Sequence, residues 1–554
     1  MLQHPRFKPH LRVEVVEGEG VFVLSEGGQV VLQGRLYELV APLLDGRPVP
    51  EICAALRSRV PPTHVFYTLE HLEKKGHLTE SDDRFPRGQA ALWTLLSIDP
   101  SAAARRLEET PVTVRAAGDV DPGPFHEVLR ALGVLQDAQA SQAKLTVVVA
   151  DTYLRSELEA FNREALQSRR PWLLVKPVGY QVWIGPLFVP GETGCWTCLS
   201  DRIRSNSPML GYLEERRGRT GAAAADLCQT PATLQIAWGM AATAVTTWIA
   251  RGEHPEITGK ILTLDVLSGQ TRSHTLVKMP HCPVCSTAAA VAEPSMEPLA
   301  LNSCTKTFTE DGGHRALTPQ QTLDRFGHHV SPITGAVPML ERDGPDRDGV
   351  MHVYLAGHNA ARHPRSWGGL KGDLRSMSCG KGTTDVQAKA SALCEGLERY
   401  SSVFRGDEPR RRARLGDLGD AGIHPNACML YSDKQYRERE AWNVLGSRYD
   451  DVPVPFDPEA QVEWTALWSL TGQTVRYLPT SFCYFDYPQP CRQAFCWSCS
   501  NGNAAGNTLE EAILQGFLEL AECRRWTWAA SGNRIWRSSR PFCVVITGLS
   551  GRWT

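Results

Sequence analysis

The segment GNTLEEAILQGFLELAEC, Gly506 to Cys523, places a narrow acidic stripe on a helix that is otherwise apolar. At about 100° per residue, one arc roughly 80° wide collects three carboxylates and an amide. These residues are Glu511, Gln515, Glu519 and Glu522. The exposed face of a surface helix is ordinarily broad and mixed in charge. The pattern therefore predicts a buried helix whose few acids need a partner inside the protein.

A second segment, SCGKGTTDVQAKASALCEGLERY, repeats this arrangement on a helix that we expect to begin near Thr384. Its polar arc contains Gln387, Ser391, Glu395 and Glu398, and Arg399 lies at the edge of the arc. A buried carboxylate without a partner is costly. Because Arg399 is the only base on either stripe, ion pairing within the stripes leaves most of their glutamates without a partner.

Divalent cations account for this surplus of acids better than ion pairs do. Mg²⁺ prefers carboxylate oxygens and often binds together with substrate phosphates. We therefore expect the two stripes to face each other and to hold Mg²⁺ and a nucleoside triphosphate. Ser391, Asn507 and Gln515 would add hydrogen bonds, while Arg399 and Lys381 would contact phosphate. A buried polar network and a plain surface stripe are the alternatives that the residues leave open.

Four cysteines form two pairs with the spacing of metal ligands. GCWTC contains Cys195 and Cys198, and HCPVC contains Cys282 and Cys285. Two such pairs can surround one tetrahedral zinc ion, which would join two distant loops of one domain. Four thiolates leave no open coordination position, so we expect a structural role. Four unrelated buried thiols and a redox pair are the alternatives.

The chain is too long for one hydrophobic core, and its patterns divide its 554 residues into three units. Residues 1–85 alternate like short strands and then show three helical patterns, which predicts a winged-helix-like module. Residues 86–290 have the pattern of an α/β domain, here a zinc-stapled one. A linker at 291–302 precedes a third, mixed α/β unit at 303–522. The predicted fold class is thus α/β and α+β, multidomain.

The first unit offers a sheet edge rather than a DNA-reading helix. Its last helical pattern, which we expect to run from an N-cap at Thr63 to a C-cap at Gly76, carries nothing suited to reading bases. The addition of an extended peptide to the sheet as an extra strand is the better functional interpretation. A purely structural role stays open.

Composition argues against several classes of function. The 59 basic and 61 acidic residues nearly balance, so no general charge attracts nucleic acid or an anionic membrane. The most apolar stretch, Thr233 to Ala250, carries four threonines and a glutamine, and we expect a buried helix rather than a membrane span. No charged-then-apolar leader opens the chain, and its sixteen cysteines suit a reducing compartment. We therefore expect a cytoplasmic protein.

The two acidic segments resemble the nucleotide-site signatures of the YcaO family. TKTFTEDGGHRALTPQQTL followed by SPITGAVPML is similar to the opening of a YcaO domain. The middle unit, with its cysteine pairs, resembles the ubiquitin-activating-enzyme-like domain that is fused to YcaO in azoline-forming cyclodehydratases. The first 80 residues resemble the precursor-peptide recognition element of the same proteins.

This resemblance implies ATP-dependent cyclodehydration of a ribosomally made precursor peptide. A Cys, Ser or Thr side chain would attack the preceding amide, and phosphorylation of the amide oxygen would let a thiazoline or oxazoline form. The leader segment of the peptide would bind the N-terminal module, and a homodimer is left open. A scaffold that binds the precursor without catalysis, and a related reaction that makes thioamides or amidines, are the alternatives.

The resemblance also implies the cofactors ATP, Mg²⁺ and structural Zn²⁺ and the residues that hold them. By motif position the nucleotide would lie on Lys381, Ser391, Glu395, Glu398, Arg399, Asn507, Glu511, Gln515, Glu519 and Glu522. Among these, the implied magnesium ligands are Glu395, Glu398, Glu511, Glu519 and Glu522. The implied zinc ligands are Cys195, Cys198, Cys282 and Cys285.

The family pattern breaks after Glu522. From Cys523 to Thr554 the chain has six Arg and four Trp but no Asp, Glu or Lys. YcaO domains ordinarily continue well beyond this helix. We therefore expect residues 523–554 to be an aberrant tail translated out of frame, and the YcaO domain to be partial.

Overall fold

The computed structural model describes residues 2–81, 84–136, 142–217, 228–280, 282–286, 298–310, 314–344, 350–357, 370, 376–444, 451–489 and 493–530. Three units follow one another along these residues, and each has its own hydrophobic core.

The first unit is a small α+β module. Its three-stranded antiparallel sheet has the order β2 (Arg12–Val16), β3 (Gly20–Ser25), β4 (Gly28–Leu32). The short strands β1 (Pro5–Phe7) and β5 (Leu78–Glu80) pair separately. Three helices pack on them, α1 (Arg35–Val40), α2 (Val49–Leu56) and α3 (Pro62–Lys74), with a 3₁₀ turn at Ala41–Leu43. Every third or fourth residue of α3 is buried, which gives the module one core and confirms the winged-helix-like prediction.

The ends of α3 differ from the predicted ones. Pro61 is the N-cap and Pro62 is the first helical residue, so the predicted cap at Thr63 is wrong. Proline suits this position because its missing N–H would have no partner in the first turn of a helix. Lys75 is the C-cap, and Gly76 follows it with φ of 77°, a conformation that glycine adopts without strain.

The second unit is an α/β domain around a six-stranded sheet with the order β11-β10-β9-β8-β7-β6. The parallel strands are β6 (Val112–Ala117), β7 (Leu145–Ala150) and β8 (Trp172–Lys176). The antiparallel strands are β9 (Gln181–Phe188), β10 (Lys260–Asp265) and β11 (Thr271–Thr275). The helices are α4 (Arg87–Leu95), α5 (Pro100–Glu109), α6 (Gly123–Ala131), α7 (Glu157–Ser168), α8 (Trp196–Ser205), α9 (Pro208–Arg217) and α10 (Pro231–Arg251).

The apolar stretch near residue 240 is the helix α10, as predicted. Trp238, Val245 and Ile249 lie in the core cluster of the central sheet, and small residues between them are buried as well. Across the described part of the chain, no helix combines the length and the apolar character that a membrane crossing requires.

The third unit contains two antiparallel three-stranded sheets. The first has the strands β12 (Leu340–Arg342), β13 (His352–Gly357) and β14 (Met377–Gly382). The second has the strands β15 (Arg411–Ala413), β16 (Val462–Ser469) and β17 (Thr474–Pro479). The helices are α11 (Pro319–Phe326), α12 (Asp385–Ser401), α13 (Asn426–Met429), α14 (Asp433–Arg437), α15 (Arg439–Asn443), α16 (Thr480–Cys483) and α17 (Leu509–Ala530), with 3₁₀ turns at Gly327–His329 and Gly416–Ala421.

Backbone contact fixes α12 on the first of these sheets. A Cβ atom on Gly380 of β14 would lie 2.0 Å from the backbone nitrogen of Ala392, so no other residue fits without moving the helix. Leu393 on the same side of α12 packs with Val337 and Ala356 in a small core. The sheet therefore sets the position of α12.

Helix α17 differs from its prediction in two ways. It continues past Glu522, after which an aberrant tail was expected, as far as Ala530. The rest of the expected tail, residues 531–554, lies outside the described residues. It is also not buried on all sides, because Leu514, Phe517 and Leu518 are 49%, 46% and 50% exposed. The apolar residues predicted burial, but the described residues leave this face of the helix uncovered.

Candidate nucleotide and metal sites

Helices α12 and α17 line one cavity of about 450 Å³. Its wall also includes β14, the turn that precedes α17 and the segment that leads into α11. The predicted site residues in the wall are Lys381, Ser391, Glu395, Glu398, Arg399, Asn507, Gln515 and Glu519. Residues of both stripes thus line one cavity, and their binding roles stay predictions.

The N-cap of α12 fixes where the helix begins and therefore which way its polar stripe faces. The hydroxyl of Thr384 accepts a hydrogen bond from the backbone N–H of Gln387 at 3.3 Å, which starts α12 at the predicted residue. From this start the helical period brings Ser391, Glu395 and Glu398 to one face.

Close packing brings the turn before α17 to the cavity. A Cβ atom on Gly516 of α17 would lie 2.4 Å from the carbonyl oxygen of Gly502, so helix and turn touch directly. Asn507 in this turn accepts a hydrogen bond from the hydroxyl of Thr322 at 3.2 Å. The turn thereby joins α17 to α11 along the cavity wall.

Two acids of the cavity hold their protons more tightly than an exposed glutamate does. Burial raises the pKa of Glu398 to about 8; Arg399 opposes the rise, while Glu519 and Glu395 add to it. Burial also raises the pKa of Glu519, again opposed by Arg399 and increased by Glu395. Carboxylates of the two helices therefore repel one another across the cavity, and the ionised forms of Glu398 and Glu519 are disfavoured.

Bases line the same cavity. Arg399 forms ion pairs with Glu398 and Glu395, each at 3.3 Å between guanidinium nitrogen and carboxylate oxygen. Arg315 donates to the side-chain oxygen of Gln515 at 3.2 Å, and Lys381 completes the basic part of the wall. A wall that combines acids and bases suits a ligand that carries both signs, such as a metal ion with phosphates.

Glu511 lies outside the cavity wall, where its carboxylate is already satisfied. Its side chain is 1% exposed and accepts hydrogen bonds from Lys306 Nζ at 3.0 Å and from the backbone N–H of Ala316 at 2.5 Å and of Asn507 at 3.0 Å. Burial alone would raise the pKa of Glu511, but these hydrogen bonds outweigh burial and lower it. The inference that the glutamates lack basic partners is therefore wrong for Glu511.

Glu522 also lies outside the wall, at the exposed end of its stripe. Its charge contributes to the raised pKa of Glu519. The metal-binding roles predicted for Glu511 and Glu522 stay predictions.

Two bases at the site, Lys306 and Arg315, were not predicted from the sequence. Lys306 donates to Glu511, which is 205 positions further along the chain. Helical periodicity cannot predict a contact over such a separation. Both residues lie in the segment TKTFTEDGGHRALTPQQTL, whose similarity to the opening of a YcaO domain was the available signal.

The four predicted cysteines form one cluster. Their sulfur atoms all lie within 4.8 Å of one another, with Cys195–Cys282 at 3.7 Å and Cys198–Cys285 at 3.6 Å. A tetrahedron of sulfurs at the usual zinc–sulfur distance has edges of about 3.8 Å. Hydrogen bonds from Cys198, Cys282 and Cys285 lower the pKa of Cys195. The cluster could therefore hold a metal ion.

Comparison with known proteins identifies two of the units. The family model for YcaO cyclodehydratases, described as binding ATP and Mg²⁺, matches residues 379–536. A winged helix-turn-helix model matches residues 6–80. A protein of Methanothermobacter thermautotrophicus is 29% identical over 215 residues, which are 38% of this chain and about half, 47%, of that relative.

Two solved structures extend the likeness to nearly the whole chain. The chain is similar to a heterocyclase solved in complex with substrate and cofactor, at 41% identity and a TM-score of 0.84, over 93% of this chain and 69% of that one. It is also similar to the heterocyclase TruD, at 37% identity and a TM-score of 0.77, over 94% of this chain and 69% of that one. The chain belongs to the YcaO family of ATP- and Mg²⁺-binding cyclodehydratases.

Proposed function

We propose that the chain uses ATP to convert Cys, Ser or Thr residues of a ribosomally made precursor peptide into thiazoline or oxazoline rings. The cavity between α12 and α17 carries this proposal, because carboxylates from both helices meet bases there. Its volume of about 450 Å³ lies within the range of small-molecule sites. Membership of the family supplies the class of reaction.

The residues of the cavity divide by chemistry. Glu395, Glu398 and Glu519 would hold Mg²⁺, since all three line the cavity and oxygen is the ligand that Mg²⁺ prefers. The phosphates would contact Lys381 and Arg315 as charged hydrogen-bond donors. Hydrogen bonds from Ser391, Asn507 and Gln515, together with Arg399, would complete the site.

Bound ATP with Mg²⁺ supplies the phosphoryl group that turns the amide oxygen into a phosphate leaving group. The chain contributes positioning and charge. Burial raises the pKa of Glu398 to about 8, and a cation facing this carboxyl group would favour the release of its proton. Arg399 pairs with both Glu395 and Glu398, each at 3.3 Å, and so restrains the two carboxylates beside the cavity.

The leader segment of the peptide would add to the edge strand β4. Strand β2 at the opposite edge carries the ion pair of Arg12 and Glu14, which guards against pairing with another strand. Strand β4 has no charged residue, and its Val30 and Val31 are exposed. An extended peptide could therefore gain both main-chain hydrogen bonds and apolar contacts there.

The leader site can be tested with Val30→Lys in β4. We expect this variant to weaken leader binding in a fluorescence-anisotropy titration by about tenfold, or about 1.4 kcal/mol. Val15→Lys in β2 is the matched control and should leave the affinity unchanged. Equal effects of the two substitutions would place the peptide elsewhere.

The metal of the cysteine cluster would be structural Zn²⁺. Four thiolate ligands leave no position open for a substrate, so Cys195, Cys198, Cys282 and Cys285 would stabilise the fold and take no part in the reaction. Free thiols persist in a reducing compartment, and the proposed location is the cytoplasm.

Mass spectrometry of a candidate precursor tests the proposed activity. Incubation with the protein, Mg²⁺ and ATP should remove one water per ring from a peptide rich in Cys, Ser and Thr. Omission of ATP should abolish the mass change.

Glu519→Gln should lose the activity, whereas Glu510→Gln should keep it. Glu510 lies on the same helix, but its carboxylate accepts a hydrogen bond from Asn302 and does not line the cavity. An unchanged peptide mass with wild-type protein that binds the same peptide would instead favour a binding scaffold.

A further inference from the structure

The second and third units interlock through the loop between α11 and β12. Ile333 in this loop belongs to the core cluster of the second unit, the cluster that also contains Cys195 and Cys198. The side-chain amide of Asn206, the C-cap of α8, donates to the carbonyl oxygens of Ile333 at 3.3 Å and of Gly335 at 3.0 Å. The second unit therefore holds this loop by both apolar and polar contacts.

The same loop also packs against α12 and so restrains the position of that helix. Its far end is Val337, which is fully buried and lies against Gly396 of α12. A Cβ atom on Gly396 would come within 3.0 Å of the Val337 side chain, so the fit tolerates little change. Gly396 follows Glu395 directly, and Glu398 is two residues further along.

Helix α8 of the second unit also contacts α12 directly. Arg202 of α8 is only 3% exposed, and its guanidinium carbon lies 4.5 Å from the ring centre of Tyr400 on α12. Arg405 stands 4.3 Å from the same ring. A desolvated cation–π contact is stronger than an exposed one, and cations also favour the C-terminal end of a helix, where Tyr400 lies.

We propose that Arg202 is a positioning residue for the nucleotide site. Helix α8 of the second unit would fix the C-terminal half of α12, by Arg202 on Tyr400 and by the loop on Gly396. A rotation of α12 would move Glu395 and Glu398 together, and small displacements of such groups weaken a site strongly. The inference rests on the proposed function, since it concerns the same cavity.

Calorimetric titration with ATP in the presence of Mg²⁺ tests this proposal on the full chain. Arg202→Met should weaken the affinity by about tenfold, and Arg202→Lys should recover part of the loss. Arg204→Met is the matched control: Arg204 is on the same helix but pairs with Glu214 at 3.5 Å, and its loss should leave nucleotide affinity unchanged.

A double-mutant cycle with Tyr400→Leu separates positioning from a merely structural role. If Arg202 acts through Tyr400, the double variant should bind ATP no more weakly than Tyr400→Leu alone. Additive losses, or unchanged affinity in Arg202→Met, would overturn the proposal. Should Arg202→Met fail to fold, Tyr400→Leu and Arg202→Lys decide it: weakened binding supports the proposal and unchanged binding overturns it.

The failure of this inference can be told from failure of the proposed function. Wild-type protein that binds ATP only with Mg²⁺, beside variants that bind equally well, would overturn the role of Arg202 alone. Wild-type protein that binds no ATP would overturn both.

Discussion

The cysteine cluster and the acidic cavity both gather metal-ligand side chains, but they differ in how these side chains are satisfied. The sulfurs of the cluster lie at tetrahedral spacing in a largely buried corner of the second unit. The acids of the cavity face open volume, and burial and mutual repulsion raise the pKa of Glu398 and of Glu519. A closed set of ligands suits a structural metal ion, whereas an open set of partly protonated acids suits a ligand that binds and dissociates.

Loss of one thiol should have the largest effect. Cys198→Ser should remove most of the roughly 10 kcal/mol that a structural zinc site contributes, because folding and metal binding are coupled. Thermal unfolding and metal analysis would show a lower melting temperature and no bound zinc. Cys228→Ser, at an exposed free cysteine, is the control and should change neither. Full zinc content in Cys198→Ser would contradict a closed structural metal site at the cysteine cluster.

Glu511 should behave like the cluster, although it belongs to the acidic stripe. Glu511→Ala leaves Lys306 and two backbone N–H groups without their acceptor, which should cost about 3 kcal/mol in the free energy of unfolding. Chemical denaturation would measure this loss, and leader affinity should stay unchanged because the proposed leader site on β4 lies in another unit. A Glu511→Ala variant as stable as wild type would contradict this structural role and would group Glu511 with the acids that face the cavity.

Glu398→Gln should show the opposite behaviour. Turnover of the precursor should fall by about a hundredfold or more, because the substitution removes a charge that would hold the metal. The melting temperature without Mg²⁺ should stay the same or rise, since the ionised carboxylate is disfavoured in the folded protein. A variant with reduced stability and full turnover would reverse the assigned roles of Glu398 and Glu511.

The last effect is a pH dependence of stability. Because the pKa of Glu398 is raised to about 8, the folded protein binds a proton that the unfolded chain has lost above about pH 4.5. Stability without Mg²⁺ should therefore fall as pH rises from about 5 to 8, by at most about 1.4 kcal/mol per pH unit. The affinity for Mg²⁺ should rise over the same window. Melting curves of wild type and Glu398→Gln at several pH values would give the slope of stability against pH for each protein. Equal slopes would show that Glu398 is not the group that titrates.

Sequence periodicity predicted the parts of this molecule that depend on local order. Thr384 starts α12 at the expected residue, and the spacing from Ser391 to Glu398 then fixes which face meets the cavity. The cysteine spacing likewise predicted the cluster, since the two CxxC pairs supply its four sulfur atoms. These features follow from short-range geometry, which a sequence records directly.

Long-range partners could not be predicted in the same way. The contact of Lys306 with Glu511 and that of Ile333 with the core of the second unit join distant parts of the chain, and neither lies in a periodic pattern. Apolar residues such as Phe517 predicted burial, but burial depends on a neighbour that the helix itself does not specify.

The most direct test of the shared cavity is a calorimetric titration with ATP, with and without Mg²⁺. Wild type and Glu510→Gln should bind ATP only when Mg²⁺ is present, while Glu398→Gln on α12 and Glu519→Gln on α17 should each lose that binding. Metal-independent binding, or full affinity in either of the two cavity variants, would contradict a metal held between the two helices.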